Sequence, residues 1–412
     1  MQYRITAPLA NRINQEITLP ASKSISNRVL IMNAMGGSKG HIGNIAHCDD
    51  TDVMVKALAQ PAHGTIDIGA AGTAMRFLTA YLSQKAGEDC LLTGSERMKK
   101  RPISILVEAL RQVGADIEYA GEEGFPPLHI RGKKLKGGKV SLDGSVSSQY
   151  ISALLMAAPD MQNGLQLTLE NKTVSRPYIQ MTLQLMKQFG VASKWEENQI
   201  SVGPQDYGFL NMEVESDWSA SSYWYQLCAL AQEGEVTLPR LYADSVQGDS
   251  HIASLFEPLG IATSFEKNGI KLIKKAPTTT NYVVNLVEQP DLAQTLVVTC
   301  CLLNIHFTFS GLDNLKIKET DRIAALITEM SRLGYRLTEP QPGSLAWEGE
   351  HCPAEQQPVI GTYKDHRMAM AFAPACLLLD SIRIEDPAVV SKSYPKYWED
   401  LKKAGFGVEE IE

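Results

Sequence analysis

One pattern recurs along the 412-residue chain and limits what it can fold into: a helix-like stretch that stops at a glycine and runs into two short alternating strands. It is seen in VEALRQVGADIEY, LQLMKQFGVASKW, IASLFEPLGIATSF, ITEMSRLGYRLTE and EDLKKAGFGVEEI. The stops are Gly114, Gly190, Gly260, Gly334 and Gly405, separated by 76, 70, 74 and 71 residues. Glycine suits a position just past a helix end, where the chain turns through positive φ. Gly64 in AQPAHGTIDI fits as an earlier, shorter member.

A second, more apolar helix is predicted 40 to 43 residues before each glycine. These helices start at Lys23, Gly72, Ser147, Asp217, Asp291 and Asp365. They are apolar on most faces, so they are expected to be buried. The strands that follow alternate, as in IKLIKK, which suits a half-exposed sheet. The chain therefore reads as six α/β units of roughly seventy residues, each βαβαββ, with helices inside and sheets outside.

Bulk composition narrows the function. With 44% hydrophobic residues there is material for large cores. A net charge of -8 argues against a nucleic-acid binder, which would carry a basic stripe. It leaves room for an anionic small molecule, because local potential outweighs net charge. MQYRITAPLANRINQ has no apolar core of a signal peptide, and no run is long enough for a membrane span. Seven cysteines without a CxxC fit reduced thiols in a cytoplasm. Cys300 and Cys301 fall in an apolar helix and are expected in the core. HCDD, residues 47 to 50, matches no zinc spacing and reads as a polar helix start.

The chemistry gathers at the helix starts, where free N–H groups and the helix dipole favour anions. In SKSISNR, Lys23, Ser24 and Arg28 suit a phosphate, but a capped helix with a surface Lys and Arg fits equally. GAAGTAMRFL has no P-loop lysine, and Gly72 would let a ligand approach the backbone. Arg76 in that helix reads as structural, paired with a carboxylate or carbonyl. GSVSSQY offers two hydroxyls and an amide, or simply a cap by Ser147. NLKIKETDRI holds Lys318, Glu319, Asp321 and Arg322, either as a proton donor among cations or as a charged first helical turn. YKDHRMAM brings His366 and Arg367 to another helix start, and ERMKKRPI, VSRPYI and VSKSYPKYW add Arg101, Ser175 and Lys392.

Taken in order, LPASKSISNR, GAAGTAMRFL, LTGSERMKKRPI, DGSVSSQYISALLMAAP, VSRPYI, NLKIKETDRI, TYKDHRMAMAF and KSYPKYW resemble the 5-enolpyruvylshikimate-3-phosphate synthases over nearly the whole chain. The resemblance implies a two-domain inside-out α/β barrel of six βαβαββ units. Three units would lie in a domain of residues 22–214, and three in a domain of residues 1–21 plus 215–412. It implies an active site in a cleft between the domains that closes on substrate, and a cytoplasmic monomer with no cofactor and no metal. The implied reaction joins phosphoenolpyruvate to the 5-hydroxyl of shikimate 3-phosphate and releases phosphate. Repulsion among the site cations would hold the empty enzyme open.

By the same resemblance, Lys23, Arg101, Gln149 and the Gly72 amide would hold the phosphate of phosphoenolpyruvate, and Arg322, Arg367 and Lys392 its carboxylate. Lys23, Ser24, Arg28, Ser147, Ser148, Gln149, Ser175, Tyr178, Asp291 and Lys318 would hold shikimate 3-phosphate. Asp291 would accept the hydroxyl proton, Glu319 would protonate C3, and Lys23 would assist near the leaving phosphate. Sensitivity to glyphosate is implied, since Gly72 leaves room that an alanine would fill. Ala70, Phe77 and Trp218 depart from the family pattern. Two other readings are a sister enzyme acting on a UDP-aminosugar and a non-catalytic anion binder. The SERMKKRP loop lacks the sister family's reactive cysteine, and anion binding alone gains nothing from Asp291 and Glu319.

Overall fold

The computed structural model describes residues 1–59, 63–145 and 147–411. Positions 60–62 of AQPAHGTIDI and position 146 of GSVSSQY lie outside the described residues. The chain forms two compact units, Ala21–Val214 and Met1–Pro20 with Glu215–Glu412, here called the N-terminal and C-terminal units.

The N-terminal unit contains α1 (Lys23–Met35), α2 (Asp49–Leu58), α3 (Gly72–Leu82), α4 (Ser104–Gln112), α5 (Ser148–Ala157) and α6 (Arg176–Gln188). The C-terminal unit contains α7 (Trp218–Leu230), α8 (Ile252–Phe256), α9 (Ala293–Leu302), α10 (Arg322–Arg332), α11 (His366–Phe372) and α12 (Tyr397–Lys403). The apolar helices are buried as expected. Every residue of α9 and α11 is buried, and so is all of α7 except Ser219. Cys300 and Cys301 are both in this core. The alternate helices α4, α6 and α10 bury one stripe and leave polar residues outside.

Polar residues set the helix starts. Ser22 caps α1 by accepting from Ile25 N at 3.4 Å, and Asp217 caps α7 through Ala220 N at 3.1 Å. Ser147 and Asp365 likewise cap α5 and α11. The start at Asp291 differs. Pro290–Leu292 forms a 3-10 turn before α9, and the Asp291 side chain is spent on arginines instead of a cap. The stop glycines from Gly114 to Gly405 all have φ between 81° and 105°. Gly64 is an exception to the pattern: α2 ends at Leu58, and Gly64 lies within the strand His63–Asp67.

Five sheets share one order of pairing. Each begins with a parallel pair, and the second strand of that pair continues antiparallel. In the N-terminal unit these are 63–67 with 89–93, and 138–143 with 165–170. In the C-terminal unit they are 12–16 with 233–239, 281–285 with 306–310, and 359–360 with 382–385. The first twenty residues belong to the C-terminal unit because Gln2–Thr6 pairs with 382–385 and 407–411, while Arg12–Glu16 pairs with 233–237. A short parallel pair, Ile42–Gly43 with Met212–Glu213, joins the two ends of the N-terminal unit.

Candidate functional site

The first turns of α10 and α11 and the 3-10 turn before α9 bring one ionic cluster together in the C-terminal unit. Arg322, the first residue of α10, is 1% exposed and reaches three carboxylates. It donates to Asp365 from Nε at 2.7 Å, to Asp291 from Nη1 at 3.0 Å and to Glu319 from Nη2 at 3.0 Å. Arg367 Nη2 donates to the other Asp291 oxygen at 3.0 Å. Lys392 Nζ donates to Glu319 at 2.6 Å, and Lys318 Nζ lies 3.6 Å from Asp291. Asp291, Lys318, Glu319, Arg322, Arg367 and Lys392, six residues singled out in the sequence, thus form one network.

Its electrostatics follow from burial against pairing. Burial would raise the Asp291 carboxyl, yet Arg367, Lys318 and Arg322 together hold it well below the usual carboxylate range. Burial would lower the Arg322 guanidinium, but Asp365, Glu319 and Asp291 push it above its ordinary value. Asp249 stands beside this network and accepts from Ser219 Oγ. Burial, then the Asp291 charge, raise its carboxyl to about 6.

The N-terminal unit holds two smaller constellations. In one, a Cβ on Gly72 would lie 2.6 Å from Arg76 Nη1 and 2.7 Å from Arg101 Nη1. Gln149 Nε2 donates to Thr73 Oγ1 at 3.2 Å, so Gly72, Arg101 and Gln149 gather at the start of α3. Arg76 donates to the Gly72 carbonyl at 2.8 Å, the structural role expected of it. In the other, Arg28 is 2% exposed and ties α1 to α5 and α6. It donates to Thr182 Oγ1 at 2.8 Å, Ser152 Oγ at 3.2 Å and the carbonyls of Ser24 and Tyr178 at 2.9 and 3.4 Å. These acceptors are all neutral, and burial lowers the guanidinium to about 10. Ser148 and Ser175 are buried nearby in sequence, at the N-termini of α5 and α6, with Ser147 capping α5.

Two expectations change. The cations of the C-terminal unit do not stand as a mutually repelling set: Arg322, Arg367, Lys318 and Lys392 are interleaved with Asp291, Glu319 and Asp365. The charged first turn and the candidate proton donor in KETDR are also one arrangement, since Glu319 pairs at i,i+3 with Arg322 while facing Lys392. Lys23 at the tip of α1 meets Asp50 at 3.1 Å. HCDD is a helix start, with α2 beginning at Asp49, and it also supplies that partner.

Sequence reasoning gave no site role to Asp50, Asp249 or Asp365, although it placed Asp50 and Asp365 at helix starts. A helix-cap position occupied by Asp directly before His-Arg was the available signal for Asp365; Asp50 and Asp249 had none. The three departures sort differently. Ala70 is exposed in the turn before α3. Phe77 is buried beneath the Arg28 guanidinium, 5.3 Å from its ring centre. Trp218 is fully buried in the core of the C-terminal unit, against Phe265.

The sequence matches the family model described as EPSP synthase (3-phosphoshikimate 1-carboxyvinyltransferase) over residues 9–61 and 58–401. It is 55% identical over 409 residues to a 3-phosphoshikimate 1-carboxyvinyltransferase of Bacteroides fragilis, covering 99% of both chains. It is 34% identical to the enzyme of that name from Vibrio campbellii, covering 97% of this chain and 98% of the other. An EPSP synthase structure from Acinetobacter baumannii superposes with a TM-score of 0.78 over 99% of this chain and 100% of that one, at 23% identity, a likeness of fold. On full-length matches of this strength, the chain belongs to the EPSP synthase family.

Proposed function

We propose that this chain transfers the enolpyruvyl group of phosphoenolpyruvate to the 5-hydroxyl of shikimate 3-phosphate, releasing phosphate, as a 3-phosphoshikimate 1-carboxyvinyltransferase of aromatic amino acid biosynthesis. The hydroxyl oxygen bonds to C2 of phosphoenolpyruvate and a proton goes to C3. The tetrahedral intermediate then loses phosphate as the C2–O bond to it breaks and a C3 proton leaves. The observation that carries this reading is that two carboxylates, Asp291 and Glu319, are joined through one buried cation, Arg322. A binder of anions has no use for such a pair, whereas this reaction needs one group to take a proton and another to give one.

In this reading, Asp291 takes the 5-hydroxyl proton and Glu319 protonates C3. The carboxylate of phosphoenolpyruvate competes with them for Arg322, Arg367 and Lys392. As those cations turn to the substrate, Asp291 regains basicity and Glu319 is released to carry a proton. Lys23, Arg101, Gln149 and the Gly72 amide receive the phosphate end, and Lys23 assists its departure. Ser24, Arg28, Ser147, Ser148, Ser175, Tyr178 and Lys318 hold shikimate 3-phosphate, whose charge gives buried Arg28 the anion its neutral partners lack. Fixed cations supply the electrostatic stabilisation. We also read the sheets as parts of six βαβαββ units of an inside-out barrel, three per domain, in a cytoplasmic monomer that would sediment at the 45.2 kDa of one chain.

The test is phosphate release from phosphoenolpyruvate with each acceptor in turn. Release is expected with shikimate 3-phosphate and not with a UDP-aminosugar; the opposite pattern would assign the chain to the sister reaction. A second expectation concerns Gly72→Ala. The added methyl meets the Arg76 and Arg101 guanidinium groups, so Arg101 must shift away from the phosphate end. The KM for phosphoenolpyruvate should rise, and inhibition by glyphosate, competitive with phosphoenolpyruvate in the parent, should weaken further still. Equal inhibition of both proteins would sink this steric argument.

A further inference from the structure

We propose that Glu329 is a positioning residue for this reaction, holding the loop of residues 361–364 so that Asp365 and Arg367 stand where Arg322 and the substrate carboxylate require them; the inference rests on the residue roles proposed above. Glu329 lies seven residues beyond Arg322 on α10, two turns along the same face. It is fully buried, and the proposed chemistry does not use it. A buried carboxylate is costly unless its oxygens are satisfied. Here the partners come from the loop: Gly361 N donates to Oε2 at 3.1 Å and the Tyr363 hydroxyl to Oε1 at 2.6 Å. Arg332 Nε lies 3.2 Å from Oε2. Burial raises the Glu329 carboxyl, opposed by these contacts from Tyr363, Gly361 and Arg332.

The loop needs such a hold. Tyr363 and Lys364 are consecutive non-glycine residues in the left-handed region, with φ of 55° and 58°. That conformation persists only where the surroundings impose it. Beyond it, Asp365 N donates to the Thr362 carbonyl at 2.8 Å. Asp365 then accepts from Arg367 N at 2.9 Å and grips Arg322 Nε at 2.7 Å. The connections form a closed ring: Arg322, along α10 to Glu329, across to the loop, and through Asp365 back to Arg322. Cutting it at Glu329 frees the loop to leave its strained path, taking Asp365 and Arg367 with it.

The experiment uses the full chain with Glu329→Ala, Tyr363→Phe and the double variant. Hydrogen exchange needs no turnover: Glu329→Ala should speed exchange of the Gly361 to Asp365 amides while leaving the strands at 233–239 and 306–310 unchanged. In the phosphate-release assay, KM for phosphoenolpyruvate should rise roughly ten- to a hundredfold, as for a displaced binding group, with KM for shikimate 3-phosphate little altered. Tyr363→Phe, at a partly exposed side chain, should act in the same direction with smaller size. The double variant should be no worse than Glu329→Ala, because both act through one contact. Unchanged exchange at 361–365 in a folded variant, a parallel rise in both KM values, or additive effects would each overturn the proposal. If Glu329→Ala does not fold, Tyr363→Phe decides by the same readouts. A parent protein that loosens on mutation as described but never releases phosphate would overturn the assigned reaction while leaving the Glu329 hold intact.

Discussion

Replacing Arg322 by alanine should destabilise the C-terminal unit by roughly 3–5 kcal/mol, the usual cost of stranding buried charge by removing its partner. The reason lies in what remains. Arg322 is 1% exposed and serves Asp291, Glu319 and Asp365 together. Asp291 keeps Arg367 and Lys318, and Glu319 keeps Lys392. Asp365 is fully buried and depends on Arg322, which donates to Oδ2 at 2.7 Å and to Oδ1 at 3.3 Å. The same substitution removes a cation from the proposed clamp on the substrate carboxylate, so the variant that folds should use phosphoenolpyruvate poorly. Denaturant unfolding with Arg322→Ala and Arg322→Lys measures the first effect. A midpoint unchanged in the alanine variant would mean that the three carboxylates do not depend on this arginine.

Glu319→Gln should instead spare binding and remove chemistry. The amide keeps the shape, and its single oxygen can still accept from one of the two cations that Glu319 serves, Arg322 or Lys392, but it cannot deliver a proton to C3. General acid catalysis contributes roughly 10²–10⁴-fold, so kcat should fall by about that factor while both KM values stay close to the parent's. Steady-state kinetics on the two variants separate the roles: Arg322→Ala acts on phosphoenolpyruvate use, Glu319→Gln on turnover. Normal turnover by Glu319→Gln would move the proton-donor role to another group, and Asp249, with its carboxyl raised to about 6, stands beside the same network.

The two predictions draw on different depths of the molecule. Glu319 was visible as a candidate in KETDR because its neighbours in sequence are also its neighbours in space, through an i,i+3 pair with Arg322. Asp365, 43 residues from Arg322, had no such signature. Gln149 was legible as a polar group at a helix start, but its contact with Thr73 spans 76 positions and depends on how α5 packs on α3. From SKSISNR, Arg28 fits a phosphate ligand and a surface cation equally; it is buried, because α5 and α6 close over it with hydroxyls and carbonyls.

Local chemistry determined much of this protein by itself. Apolar runs without a polar face can only be buried helices, so α7, α9 and α11 were readable. Ser22, Ser147, Asp217 and Asp365 satisfy the free N–H groups of the residues that follow them, so the helix starts were readable too. The positive φ past a helix end selects glycine, which exposed the seventy-residue spacing at Gly114 through Gly405. Apart from the i,i+3 pair of Glu319 with Arg322, tertiary structure alone decided which carboxylate meets which cation. A charge is attracted over the same distance whatever its place in the chain, so sequence carries no mark of the pairing. It arises when Asp291, Glu319 and Asp365, delivered by three separate segments, converge on the one guanidinium that burial obliges them to share, while Lys392 reaches Glu319 from a fourth.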